Sequence, residues 1–100
     1  MKPQSSPWGK SQQINKIAPG IAFVSTAGHG GYRVAKKLAE KSFSCTKLNR
    51  AAIFSGGYYW FEEDCAWSLV AIAFPHLFES SLLIVAKGVF ARFYMENLAS

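Results

Sequence analysis

Glu62, Glu63 and Asp64 stand in a row between aromatic residues, in the stretch Trp60–Pro75, WFEEDCAWSLVAIAFP. Adjacent carboxylates repel, so at least one is expected to hold its proton more tightly than usual. On a helix, consecutive side chains point about 100° apart. The three acids therefore need outside help to surround one ion. That help could come from His29, which lies in Gly28-His29-Gly30-Gly31. A histidine on a glycine-flanked turn is accessible and titrates near neutrality. Facing Glu63 or Asp64, it could form a base with its orienting acid. The bland reading is a hairpin turn whose glycines supply positive φ. It is not a phosphate loop, because the Gly-x-Gly-x-x-Gly spacing is absent and a strand follows. Cys45, Cys65, His29 and His76 are zinc-ligand types, but no two share a ligand spacing. No metal or cofactor is expected. Cys65 reads as a buried thiol beside Trp67, and His76 as a structural residue after Pro75 at a helix end.

A second set of chemistry-bearing residues is basic. Arg33, Lys36, Lys37 and Lys41, with Lys47 and Arg50, could meet phosphates, although no exposed aromatics interleave with them. The net charge of +5 is unevenly divided. Residues 1–50 carry nine Lys or Arg against Glu40, or +8; residues 51–100 carry two against five acids, or −3. Such a split means either an anionic partner for the first half or attraction between the halves within one fold.

These residues need elements to position them. One hundred residues, half of them hydrophobic, make one globular domain over 8–100 behind a loosely held end at 1–7. Gln12–Ile17 alternates weakly, Ala18-Pro19-Gly20 turns, and Ile21–Thr26 reads as a strand. After the glycine turn, Tyr32-Arg33-Val34 returns as a third strand. Val34–Lys41 is a short helix with Leu38 inward. Ser42–Gly57 is mostly connection, with Ala51–Phe54 as an edge strand or helical turn, and Ser55-Gly56-Gly57 as a flexible joint. The core helix is expected from Trp60 to Phe74, its acids in the first turn and Pro75 as its stop. A last helix runs from a Ser80 or Ser81 cap to Asn97, with Leu82, Val85, Val89 and Phe93 on one side and Ala86, Phe90 and Tyr94 beside them. Gly88 costs about 1 kcal/mol against alanine and suggests close approach by another element. The apolar run Ala66–Phe74 is too short to span a bilayer, which needs about 20 residues.

Taken together, Ala18-Pro-Gly-Ile, Val24-Ser-Thr-Ala-Gly-His-Gly-Gly-Tyr, Trp60-Phe-Glu-Glu-Asp-Cys-Ala-Trp and Ala73-Phe-Pro resemble a small domain-of-unknown-function family of phage, plasmid and bacterial reading frames. The likeness covers residues 8–78. Gly28 stands where serine is usual and Ala66 where aspartate is usual, which removes two polar groups a catalytic site could use. The resemblance implies shared architecture and a mobile-element origin, with no set reaction, cofactor or substrate. Small phage proteins of this kind often block a host defence complex, as anti-CRISPR proteins do.

The expected fold class is α+β: a three-stranded antiparallel meander, a short basic helix, and two longer helices packed on the sheet. The expected role is binding, not catalysis. Glu62, Glu63 and Asp64 would engage a basic groove of a host protein or ribonucleoprotein complex, such as a CRISPR effector, in the bacterial cytoplasm. Tyr58, Tyr59 and Trp60 would supply anchoring area. The alternative surface is the basic patch of Arg33, Lys36, Lys37 and Lys41, in a nucleic-acid-binding accessory factor. The alternative chemistry is a small hydrolase or metal-dependent enzyme using His29 with Glu63 or Asp64.

Overall fold

The β-branched and aromatic runs of the first third pair as their composition demands. In the computed structural model, which describes residues 5–93, β1 (Ser5–Ser6) and β2 (Gly9–Lys10) form a small hairpin. It is followed by β3 (Gln13–Ala18), β4 (Ile21–Ser25) and β5 (Gly30–Ala35), the expected antiparallel meander. Ser5 and Ser6 are thus paired strand, while residues 1–4 of the expected loose end lie outside the described residues. Gly20, at φ 84°, makes the β3–β4 turn.

Two further strands enlarge the meander to a five-stranded sheet in the order β3-β4-β5-β7-β6. They are β6 (Ile53–Ser55) and β7 (Tyr58–Glu62), joined by Gly56 at φ 62° and Gly57 at φ 85°. Two successive positive-φ residues make the tight hairpin turn whose twist matches that of the strands. The Gly-Gly pair is therefore a fixed hairpin turn and not a flexible joint.

The core helix expected from Trp60 is shorter than that. Tyr58–Glu62 is strand, residues 63–66 turn, and α3 begins only at Trp67 and ends at Ala73. The reason is pairing: β7 bonds to β5 on one side, Tyr32 opposite Phe61, and to β6 on the other. Aromatic residues fit such a pleated, half-covered surface well.

α1 (Lys36–Ser42) leaves β5 directly, and α2 (Cys45–Ala51) occupies what reads as connection. Ser44 caps α2 by accepting the Lys47 backbone N–H at 3.2 Å. After a 3-10 turn at Pro75–Leu77, α4 (Ser80–Phe93) packs on α3. Its first backbone bond runs from Leu83 N–H to the Glu79 carbonyl, so Glu79 holds the cap position instead of a serine. Ala86 is its fully buried contact, and Phe90 packs against the core. Leu82 and Val85, expected inward, are 43% and 52% exposed, and nothing lies within 4 Å of a Cβ built on Gly88. The expected stripe residue Tyr94 and the expected end at Asn97 lie outside the described residues.

Strand alternation sorts the sheet into two faces. One carries Ile21, Val34 and Phe61, which form the main core with Ala39, Phe43, Leu48, Ala66, Leu69 and Val70 from the helices. Phe43 stacks against Phe61 with ring centroids 5.2 Å apart. The other face carries Ala22, Val24 and Trp60, all buried, with the Trp8 ring edge-on to Trp60 at 5.6 Å.

Gly30 and Gly31 owe their identity to space, since neither has positive φ. A Cβ on Gly31 would lie 2.3 Å from the Phe61 carbonyl oxygen and 2.7 Å from the Trp8 ring. Gly31→Ala must therefore push the β5–β7 pair apart or expel Trp8. Overpacking of this kind costs about 3 kcal/mol. A thermal melt should show a drop in Tm of about 10 °C or more for Gly31→Ala. Gly28→Ala, with nothing within 4 Å, should melt like the parent.

Candidate functional site

The two candidate segments, far apart in sequence, meet at one end of the sheet. Gly31 pairs with Glu62 across β5 and β7, and the Glu63 backbone N–H donates to the Gly30 carbonyl at 2.9 Å. The Glu63 carboxylate lies over Gly30, 3.1 Å from where a Cβ would stand. The glycine turn and the acid triplet thus share one corner of the molecule.

Within that corner the three acids have separate duties. Glu62 ends β7, and its side chain accepts three backbone N–H groups: Asp64 at 2.5 Å, Cys65 at 2.8 Å and Ala66 at 2.7 Å. These are the donors a turn into a helix leaves without partners. A carboxylate satisfies them with charge-assisted bonds and also suits the positive end of α3. Ser68 completes the turn by donating its hydroxyl to the Cys65 carbonyl at 2.8 Å. Glu62 therefore finds its hydrogen-bond partners within the turn, in backbone and not in a cation. Glu63 and Asp64 stay exposed, and neither forms an ion pair among the described residues.

His29 is exposed at the same corner. Its backbone is held by Thr26, whose N–H and hydroxyl donate to the His29 carbonyl at 2.7 and 3.1 Å. Its imidazole makes no hydrogen bond to Glu62, Glu63 or Asp64 among the described residues. No group of three or more His, Cys, Asp or Glu capable of holding a metal occurs among the described residues. Cys65 is half-buried; burial raises its thiol pKa first, and the neighbouring charges of Glu62 and Asp64 raise it further.

The aromatic triplet does not form one surface. Trp60 is 3% exposed, with its indole N–H donating to the Ser55 carbonyl at 2.9 Å, so it offers no anchoring area. Alternation sends Tyr58 and Tyr59 to opposite faces of the sheet. Tyr58 lies beneath the Arg33 guanidinium at 4.3 Å. Tyr59 donates to Glu40 Oε2 at 3.3 Å, and burial, then this acid, raises its pKa.

The basic patch divides in the same way. Arg33 sits on the sheet face opposite the helices, while Lys36, Lys37 and Lys41 ride exposed on α1. Lys36 pairs with Glu40 Oε1 at 3.0 Å, and that hydrogen bond raises its pKa. Sequence reading missed the Tyr58–Arg33 stack, although residues two apart on paired strands would carry it once the β5–β7 register is known.

The fold is an α+β domain: among the described residues, a five-stranded antiparallel sheet with four α-helices, the main core on one face. The chain belongs to the DUF7007 family, a domain of unknown function, whose model matches residues 1–97. No curated protein and no solved structure matches it. None of its described helices is long and apolar enough to cross a membrane.

Two outcomes follow from the corner's chemistry. Glu62→Ala leaves three N–H groups without their acceptor and should cost about 3 kcal/mol in chemical denaturation, whereas Glu62→Gln, which retains one oxygen, should cost about 1 kcal/mol. The Cys65 thiol should alkylate slowly at neutral pH, and its rate should climb with pH beyond the range of an ordinary thiol. Asp64→Asn removes one repelling charge and should accelerate that reaction, as mass spectrometry of the labelled peptide would show.

Proposed function

We propose that this domain is a binding protein of mobile-element origin that occludes a basic surface on a host defence complex in the bacterial cytoplasm. The nucleic-acid groove of a CRISPR effector is the kind of surface it fits. The observation that carries this reading is the exposure of Glu63 and Asp64, without an ion pair among the described residues, on a turn anchored by Glu62. Acids on a backbone held by hydrogen bonds spend less conformational entropy on binding than acids on a loose chain, and can stand in for phosphates in front of Lys and Arg. The phage and plasmid resemblance of the motif segments supports the biological setting.

Binding is favoured over hydrolysis by the state of His29. A working base needs an orienting acid at hydrogen-bond reach, directly or through one water. The imidazole makes no direct hydrogen bond to an acid among the described residues, and Glu62, the most firmly placed acid, is already committed to backbone.

The test is a charge reversal at the corner. Purified CRISPR effector complexes would be loaded with labelled target DNA and titrated with the domain. The parent should displace the DNA. Glu63→Lys with Asp64→Lys should weaken displacement at least about tenfold, as expected for lost interfacial charge pairs, with an unchanged melt. Equal displacement by parent and double variant would reject the acidic contact surface.

A further inference from the structure

On the sheet face opposite the helices, at the end remote from the acid corner, lies an open hollow of about 310 Å³. Its floor is low because Ala22 occupies the centre. Ile14 and Lys16 of β3 form one wall, and Arg33 of β5 with Tyr58 of β7 forms the other. The Arg33 guanidinium carbon lies over the Tyr58 ring, 4.3 Å from its centroid, making a cation–aromatic stack. Lys16 is exposed, and no carboxylate is among the described residues that line the hollow. Exposed apolar surface continues on the same face at Ile53, paired opposite Trp60.

We infer that this hollow is a contact site for single-stranded nucleic acid, with Lys16 meeting a phosphate and the Arg33–Tyr58 stack receiving a base. The charge and shape choose this occupant. An exposed lysine with no carboxylate among the described lining residues fits a polyanion, and the first half of the chain carries a surplus of +8 to draw one in. An aromatic ring with a guanidinium over it, beside apolar side chains, fits an unpaired base, which a duplex keeps hidden. The volume, near the lower end for ligand sites, suits one nucleotide unit of a longer strand. This site is separate from the acid corner and does not depend on the function proposed for it.

The probe is a fluorescein-labelled 12-nucleotide single strand, as DNA and as RNA, followed by anisotropy at 50 and 200 mM salt. The parent chain should bind at least one of them, more weakly at the higher salt. Lys16→Glu and Tyr58→Leu should each lower affinity about tenfold. Lys37→Glu with Lys41→Glu, on the helix side, should stay within about twofold of the parent, and so should Glu63→Lys with Asp64→Lys. Lys16 is exposed, so its variant reports on binding without disturbing the core; a circular dichroism melt checks Tyr58→Leu. Four results would each overturn the inference: no single-strand binding at 50 mM salt, equal binding of a duplex of the same sequence, uridine monophosphate binding as tightly as the 12-mer, or Lys16→Glu behaving as the parent.

Discussion

A carboxylate that gathers three backbone N–H groups determines how this chain passes from sheet to helix. β7 must stop, reverse and start α3 within residues 63–66, and such a turn strands donors that the backbone alone cannot satisfy. Glu62 lies at the strand's last position, so its own side chain reaches forward to Asp64, Cys65 and Ala66. With the turn fixed, α3 directs Leu69 and Val70 into the core that contains Phe61. The same bonds fix Glu63 and Asp64 outward. The packing of the centre and the exposure of the acids are thus two results of one electrostatic arrangement.

The glycine turn is the other half of that arrangement. Gly31 allows the Phe61 carbonyl, the Glu62 backbone and the Trp8 ring to approach one side of β5, while Gly30 accepts the Glu63 side chain on the other. Both sites require a missing Cβ and neither requires positive φ. Trp8 in turn packs edge-on against Trp60, which covers the sheet face that the helices leave open. The β1–β2 hairpin therefore belongs to the core's second layer, because the residue at its tip closes over Gly31.

The meander, α1, the Pro75 stop and the α+β class were legible because each rests on local signals: β-branched runs, turn dipeptides, a proline. The strand at Tyr58–Glu62 was not. Aromatics followed by acids suit a helix start as well as a strand end, and only pairing with β5, some thirty residues away, decides between them. The α2 helix had a local signal in Ser44, whose side chain caps Lys47, but its sequence CTKLNRA lacks a clear apolar stripe. In α4, Leu82 to Ala86 are all apolar, so periodicity could not choose the inward side. Packing chose Ala86, whose small side chain lets α3 and α4 come close. At the candidate site, the acids and the histidine were legible as residues. Their division into one internal cap and two outward charges required the turn's geometry.

The uneven charge of the two halves left open whether they neutralise each other or face outward. Among the described residues the salt bridge seen is Lys36–Glu40, and both partners belong to the first half. The register and the turn together explain why the acid corner does not simply neutralise the basic hollow. The corner sits where Gly31 pairs with Glu62, and Arg33, the nearer cation of the hollow, pairs with Trp60 two residues further along the strands. At about 3.4 Å per residue that is roughly 7 Å, within the Debye length of about 8 Å at physiological salt, so distance alone does not separate them. The turn does. Glu62, on the same sheet face as Arg33, is committed to three backbone N–H groups, and Glu63 and Asp64 stand beyond the end of β7. The bonds that start α3 therefore also direct the corner's remaining acids away from the hollow.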